Sequence, residues 1–337
     1  MESKTSVGFV RDVILYASTH GVSTNEMCRE LGISPDILLR PDEMVSGDLS
    51  HRAWLLAEQL TGDSDIGLHI GERAHPAVLG LVGFVMLSCE TLGEALEKLI
   101  RYTNLLTDGV AGKITRKGRL VEIDILVKND VVNSLSAAPR QRIETSFAAI
   151  VTIAKALTDK ELPIRELRLV HERPPDVSEH ARIFNSPVLF SQEDNSLVFA
   201  ASAMEFPVLL ANSDLLSMFE AKADSKLGEM ERDETRTMQV ERLIIEKLRG
   251  EVPCVTEVAR TLGVSERTLQ RELSNEKTSF SALLDSTRRG QALRHLQDPG
   301  TTVAEISFLL GFSEPSAFHR SFKRWTGKTP SAFRSAD

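Results

Sequence analysis

One pattern occurs twice in the last hundred residues of this 337-residue chain, and it limits the folds open to that region more than any other feature. In the first copy Val258, Ala259 and Leu262 recur at helical spacing and Gly263 supplies a residue free to take a left-handed turn. Ser265 then stands where a helix cap is needed, and Leu269 and Leu273 return to the apolar face one turn apart. In the second copy Thr302-Val-Ala-Glu305 is a capping box, Ile306, Leu309 and Leu310 are apolar, and Gly311 turns the chain. Ser313 is the expected cap, followed by Phe318, Phe322 and Trp325 at i, i+4 and i+7. The copies lie about fifty residues apart and align with a one-residue slip, pairing Gly263 with Gly311, Arg271 with Arg320 and Leu273 with Phe322. Each copy reads as a helix-turn-helix. A single such pattern is weak evidence, and Asn25 to Leu38 offers one without a basic outer face or a second copy, so that segment reads as helical core.

Between the copies, Ser279 to Gln297 reads as a helix with Leu283, Leu284, Leu293 and Leu296 inward and Arg288, Arg289 and Arg294 facing solvent or phosphate. At 1.5 Å per residue it spans about 28 Å, close to the roughly 34 Å of one turn of DNA. A rod of that length can hold two recognition helices in successive major grooves, which a flexible tether cannot do. Gly290 costs such a rod roughly 1 kcal/mol relative to Ala, so close packing against a neighbour is expected there. Upstream, Val240, Leu243, Ile244 and Leu248 define a further helix ended by Gly250 and Pro253.

The formal charge of -8 argues against a nucleic-acid partner only until it is divided. From Thr237 onward there are 15 Lys plus Arg against 12 Asp plus Glu, and the residues before it hold the remaining 25 against 36. Pro315 to Arg334 contains five basic residues and no acidic one, the local patch that a phosphate backbone selects.

The upstream region alternates helices with strands. Thr91-Leu-Gly-Glu94 opens a helix of about four turns through Leu106, and Val121, Ile123, Ile125 and Val127 alternate with Glu122, Asp124 and Lys128 as a strand. Lys117-Gly118 turns that strand onto one near Val110 to Thr115, a helix follows from Pro139 to Leu157, and short strands lie near Leu167, Val188 and Leu197. This order implies α+β rather than a βαβ repeat. Residues 221–236 are charged and poor in large apolar side chains, including Glu229, Glu231, Arg232, Asp233, Glu234 and Arg236, and read as a helical linker. The expected organisation is an α+β effector and dimerisation domain over 1–220, the linker, and an all-α domain over 237–337 with helix-turn-helix units at about 255–276 and 303–326, joined by the linker helix.

Several function classes fall away. Cys28, Cys89 and Cys254 are too far apart for a disulfide framework or a C-x-x-C site, and the first two read as buried small hydrophobes. The longest stretch free of Asp, Glu, Lys and Arg, Ala74 to Cys89, is too short to span a membrane, and the opening residues lack a secretory pattern. Phosphate-loop, G-x-S-x-G, G-x-G-x-x-G and H-E-x-x-H motifs are all absent, so neither an enzyme nor a cofactor or metal is expected. His69 and His75 flank Glu72 but cannot share a helix face, and read as surface or capping residues. Phe318, Phe322 and Trp325 read as core rather than as a stacking platform for single strands.

Gly311 to Arg334, GFSEPSAFHRSFKRWTGKTPSAFR, resembles the C-terminal signature of AraC/XylS-type transcription regulators, and Val255 to Phe280 is similar to their first helix-turn-helix. The family commonly has Gly at the position of Lys277 and a small apolar residue at that of Ser307. The stretches LGLVGFVMLSCETLGEALEKLIRYTNLL and FNSPVLFSQEDNSLVFAA resemble the arabinose-binding-type N-terminal domain of ornithine-utilisation-type members. The resemblance implies effector sensing, homodimerisation and activation through RNA polymerase, and the three scattered cysteines fit a reducing cytoplasm.

Counting outward from the buried leucines leaves Arg267, Gln270, Arg271 and Ser274 on one stripe of the first recognition helix. Ser316, His319, Arg320 and Lys323 form the matching stripe of the second, and the resemblance points to the same positions. Arg holds guanine O6 and N7 and Gln holds adenine N6 and N7, so these residues are expected at base edges of double-stranded DNA, with Lys323, Arg324, Lys328 and Arg334 on phosphates. The bland alternative for Arg271 or Arg320 is an intradomain salt bridge. No effector residue is assigned; Ala77 to Leu87 and the Val121 to Val127 strand are candidate pocket walls, with plain core as the competing reading. Other functions remain open: a small-molecule enzyme fused to a DNA-binding domain, for which residues 1–220 offer no catalytic constellation, or a ligand-free nucleoid-type binder, for which the acidic N-terminal region is unsuited.

Overall fold

A five-stranded sheet organises the N-terminal part of the computed structural model, which describes residues 3–127, 140–233, 235–248, 252–297 and 301–334. Lys128, Pro139, Glu234 and Gly250, named above at element ends, lie outside the described residues. By its internal contacts the chain divides into a unit up to Gly228 and a unit from Glu229.

The N-terminal unit begins with β1 (Lys4–Ser6), α1 (Val7–Thr19), α2 (Thr24–Leu31), β2 (Met44–Ser46) and α3 (Gly47–Thr61). Strands β1 and β2 pair antiparallel, and the three helices bury Val10, Ile14, Met27, Leu31, Ala53 and Trp54 as one core. The helix-turn-helix-like stretch at Asn25 to Leu38 supplies part of that core, its second half a short 3-10 helix over Pro35–Leu39. Next come α4 (Ile66–Glu72), α5 (Leu81–Ser88) and α6 (Leu92–Arg101). Thr91 caps α6 by accepting the Glu94 amide, and the helix is shorter than its periodicity suggested, because Thr103–Leu105 tightens into a 3-10 turn.

The sheet follows: β3 (Val110–Lys117), β4 (Leu120–Val127), β5 (Ile164–Arg168), β6 (Val188–Leu189) and β7 (Ser196–Ala200), in the order β3-β4-β7-β5-β6. Only β5 and β6 are parallel. The β3–β4 hairpin turns through Gly118 at φ 62, as Lys117-Gly118 suggested. Val121, Ile123 and Ile125 point into the core, whereas Glu122 is buried on the other face and held by Arg168 at 3.0 Å. Helix α7 (Arg140–Thr158) is the backbone of this unit, with α8 (Ser178–Phe184) beside it. It lies against α4 at Gly67 and Gly71, where an added Cβ would fall 2.3 Å from the Gln141 carbonyl oxygen and 2.6 Å from the Ala148 Cβ. Only glycine permits that approach.

Burial would raise the pKa of the buried Glu144 carboxyl of α7, yet His171, His180, whose Nε2 lies 2.6 Å away, and Arg140, whose Nε donates to both oxygens, hold it at about 2. His69 is neither capping nor free: its Nδ1 meets Asp63 at 2.7 Å and its Nε2 meets Glu179 at 3.1 Å. His75 does cap, accepting the Ala77 amide. Cys28 and Cys89 are buried, and burial pushes the Cys89 thiol up to about 12. Among the described residues no helix is long and apolar enough to cross a membrane. The chain enters the second unit through α9 (Ser213–Asp233).

The C-terminal unit is all helical: α10 (Arg236–Lys247), α11 (Val255–Thr261), α12 (Glu266–Asn275), α13 (Phe280–Gln297), α14 (Val303–Leu309), α15 (Pro315–Thr326) and α16 (Pro330–Arg334). It holds two cores. Val240, Ile244, Val258, Leu269, Leu273 and Leu283 make the first, and Leu296, Ile306, Leu310, Phe318 and Phe322 the main part of the second. Helix α13 contributes to both, through Leu283 to one and Ala292 and Leu296 to the other, with Leu284 packed against each. Gly290 is buried within it.

Two departures from the family pattern now have physical consequences. Lys277 adopts φ 59, a left-handed conformation that costs a side-chain-bearing residue about 1 to 2 kcal/mol. Lys277→Gly is therefore expected to stabilise the C-terminal unit by about 1 kcal/mol, and Lys277→Val to destabilise it, read as shifts in denaturant midpoint. Ser307 is 1% exposed and its hydroxyl has no hydrogen-bond partner among the described residues. Ser307→Ala should raise stability by about 1 kcal/mol, because it removes a polar group buried without compensation; a lower melting temperature would contradict this.

Candidate nucleic-acid interface

The first recognition helix, α12, is set by its flanks. Gly263 turns at φ 68, the Ser265 hydroxyl accepts the Thr268 amide at 3.1 Å, and Leu269 and Leu273 are fully buried. At its far end Glu272 binds Arg236 Nε at 2.6 Å, while Glu276 accepts the Arg236 and Thr237 amides at the start of α10. With one face committed, Arg267, Gln270, Arg271 and Ser274 are all exposed. Gln270 donates to Glu266 at 3.1 Å, and no side-chain hydrogen bond or ion pair holds Arg267 or Arg271 among the described residues. The salt-bridge alternative thus does not apply to Arg271.

The second recognition helix, α15, starts one residue later than expected. Glu314, not Ser313, is its N-cap, and Pro315 fills the first helical position, where its missing amide hydrogen costs nothing. Ser316 and Arg320 are exposed and His319 is half-buried, its ring edge on Phe318. Ser316 bonds the Glu314 carboxylate and Arg320 lies 3.5 Å from it, which together keep Glu314 below the usual carboxylate range. Both members of the Arg320 pair are exposed, so the pair contributes little and is easily exchanged for a base edge. Phe318 and Phe322 are fully buried and pack with Phe312, Trp325 and Phe333, which removes the stacking-platform reading.

The basic residues outside the two stripes divide into two groups. Lys323 and Lys328 are exposed, and Arg324 is exposed with one bond of 2.7 Å to Asp285 of α13. Arg334 instead donates to the Leu296 and Thr301 carbonyl oxygens at 3.2 and 2.6 Å, tying α16 to the end of α13. Arg288 was expected to face solvent or phosphate, and the structure corrects this. Its guanidinium donates to the Leu310 and Gly311 carbonyls at 2.9 and 3.1 Å and lies over Phe312 at 4.4 Å. It thereby locks α13 to the turn of the second helix-turn-helix. Arg289 is exposed, and nothing is described of the Arg294 side chain.

The N-terminal unit contains a separate, partly open cavity of about 170 Å³, bounded by α3, α6, β3, β4 and α7. Trp54, Leu79, Ile100, Ile123, Ile150 and Ile153 typify its wall. Of the two pocket segments proposed from sequence, the β4 strand contributes Ile123 and Ile125, but Ala77 to Leu87 contributes only Leu79. Val82, Val85 and Met86 are plain core, and Phe84 stacks on Phe219.

Comparison with known proteins matches residues 21–208 to the arabinose-binding domain of AraC transcription regulators, N-terminal, and residues 258–336 to a helix-turn-helix domain. The chain belongs to the AraC family of transcription regulators. This AraC-family chain is 29% identical over 334 residues to the ornithine utilization regulator of Pseudomonas aeruginosa, covering 98% of this chain and 96% of that one. It is 31% identical to an uncharacterized HTH-type transcriptional regulator of Mycobacterium bovis over 94% of this chain and 92% of the relative. Among solved structures, the transcriptional regulator CdpR from Pseudomonas aeruginosa matches with 26% identity and a TM-score of 0.43, covering 92% of this chain and 96% of its own. The AraC-family relatives are regulators by name, and the helix-turn-helix domain makes this chain a DNA-binding transcription regulator.

Proposed function

We propose that this regulator is an effector-responsive activator, acting in the cytoplasm as a homodimer without enzymatic activity, and that each monomer reads two successive major grooves. The observation that carries the two-groove reading is the sharing of α13 between both helix-turn-helix cores. A helix of 18 residues, about 27 Å long, fixes the rotation and spacing of its two ends. Arg267, Gln270 and Arg271 on α12 and Ser316, His319 and Arg320 on α15 would meet base edges, with Ser274 at the margin. Lys323, Arg324 and Lys328 would meet phosphates. Arg334 is the weakest phosphate candidate, since its donors already hold two carbonyl oxygens.

Dimerisation and RNA polymerase contact are read from the family, and the acidic N-terminal region supports a regulatory rather than DNA-facing role for it. The test is selection of binding sites from a random DNA pool, followed by affinity measurements on one-site and two-site duplexes. The intact chain should bind paired sites more tightly through linked contacts, whereas a fragment from Glu229 should bind each site alone. That fragment retains the Thr235 cap and the Arg236 to Glu272 pair, which a start at Thr237 would remove. Equal affinity of both proteins on paired sites would remove the dimer reading.

A further inference from the structure

The cavity in the N-terminal unit holds a charged group that the rest of the fold leaves unused. Arg142, in the first turn of α7, lines it, and its Nη1 is shielded from solvent with no hydrogen-bond partner among the described residues. Nearby Arg140 shows what a satisfied arginine looks like, since it holds Glu144, Asp65 and the Ser64 carbonyl. His51 of α3 lies close to Arg142, and burial first, then the Arg142 charge, keeps its pKa below the ordinary histidine value, so it offers no counter-charge. The remaining wall is largely aliphatic. Among its polar members, Thr103, Thr145 and Ser146 donate their hydroxyl hydrogens to backbone carbonyls. A guanidinium nitrogen kept from water without an acceptor is costly, and a carboxylate is the group whose two oxygens match the parallel donors of an arginine.

We propose that this cavity is the effector site and that it takes a compact monocarboxylate with an apolar body, aromatic or branched, the carboxylate on Arg142 and the body against Trp54, Ile100, Ile123 and Ile153. This rests on the effector-responsive reading above. The size agrees: a cavity of roughly 150 Å³ lined by apolar side chains accepts benzene, and this one is about 170 Å³. A pentose would bring several hydroxyls against aliphatic side chains that cannot bond them, so the arabinose in the family's name does not describe this wall. A cationic amino acid could set its carboxylate on Arg142, but it would bury its ammonium groups against aliphatic side chains that cannot bond them.

Calorimetric titration of the full chain with benzoate and phenylacetate tests this, set against benzyl alcohol, benzylamine, L-arabinose and L-ornithine. The expected result is saturable binding of the carboxylates, at least tenfold tighter than benzyl alcohol, and no binding of the amines or the sugar. Arg142→Gln should weaken carboxylate binding roughly 10- to 100-fold while leaving benzyl alcohol unchanged. Ala149→Leu, which fills the cavity from α7, should abolish both. Arg142→Met gives a readout that needs no ligand: removing an uncompensated charge should raise the melting temperature of the free protein, whereas an arginine serving only the fold would lower it on removal. Preferential binding of the sugar or of L-ornithine, carboxylate affinity unaltered in Arg142→Gln, absence of any carboxylate binding, or a lower melting temperature for Arg142→Met would each overturn the proposal. Carboxylate binding that depends on Arg142 but leaves affinity for selected DNA unchanged would keep the site and overturn the effector reading instead.

Discussion

Two residues inserted into α13 between Ser286 and Thr287 are expected to reduce affinity for a two-groove site to that of one helix-turn-helix, a loss of roughly 100-fold or more as linked contacts become separate ones. The insertion turns everything beyond it by about 200° at 3.6 residues per turn and advances it by about 3 Å. The position matters. Leu283 stays with the first core, while Arg288 keeps its bonds to the Leu310 and Gly311 carbonyls and Ala292 and Leu296 stay with the second. Each half therefore keeps most of its own core, and what is lost is the Arg324 to Asp285 pair and the packing of Leu248 and Leu284 against the second core. Insertion beside Gly290 would instead carry Arg288 away from the turn it braces. Four residues at the same place rotate the second unit by about 400°, within roughly 40° of the start, so part of the affinity should return. Footprinting and titration on the selected site provide the measurement. A full-length footprint that survives the two-residue insertion would show that the units bind independently.

Arg271→Ala and Arg320→Ala should each weaken binding to the selected sequence by about 1 to 3 kcal/mol, or about 5- to 150-fold, and relax preference at the base each one meets. Arg271 has the simpler case, since no side-chain bond within the described residues has to be exchanged. Arg320 must leave Glu314, so Glu314→Gln should slightly improve affinity, as a like-charged competitor of the phosphates is removed. Lys328→Ala should weaken all sequences alike and reduce the salt dependence by about one counterion. Arg334→Ala is expected to behave differently again. It loses two bonds to backbone carbonyls, so lower thermal stability should accompany any lost affinity. Unchanged binding in both the Arg271 and Arg320 variants, with the fold intact, would remove the recognition-helix assignment.

The interface was legible in the sequence wherever local geometry decides the outcome. A serine before a helix, a glycine at a left-handed turn and leucines at four-residue spacing act within a few residues of one another, so Ser265, Gly263, Leu269 and Leu273 could be placed directly. Ser313 was misplaced as a cap by one position, because Pro315 fixes the helix start just after Glu314. Arg142 was not singled out, although it shares a helical face with Thr145, Ala149 and Ile153, and an arginine on such a face is a readable signal.

By itself the sequence determined the tandem helix-turn-helix units, their outer stripes and the α+β character upstream, because periodicity and capping are properties of neighbouring residues. Tertiary structure decided what each arginine does. Periodicity puts a guanidinium on a helix face but does not say which distant segment covers that face. Arg288 reaches carbonyls 22 and 23 residues away and Arg334 reaches carbonyls 38 and 33 away, so both brace the fold, whereas Arg271 has no side-chain bond among the described residues. The cavity likewise exists only once α3, α6, α7 and two strands are brought together, and only there does Arg142 Nη1, shielded from solvent and without a partner among the described residues, stand beside an apolar wall.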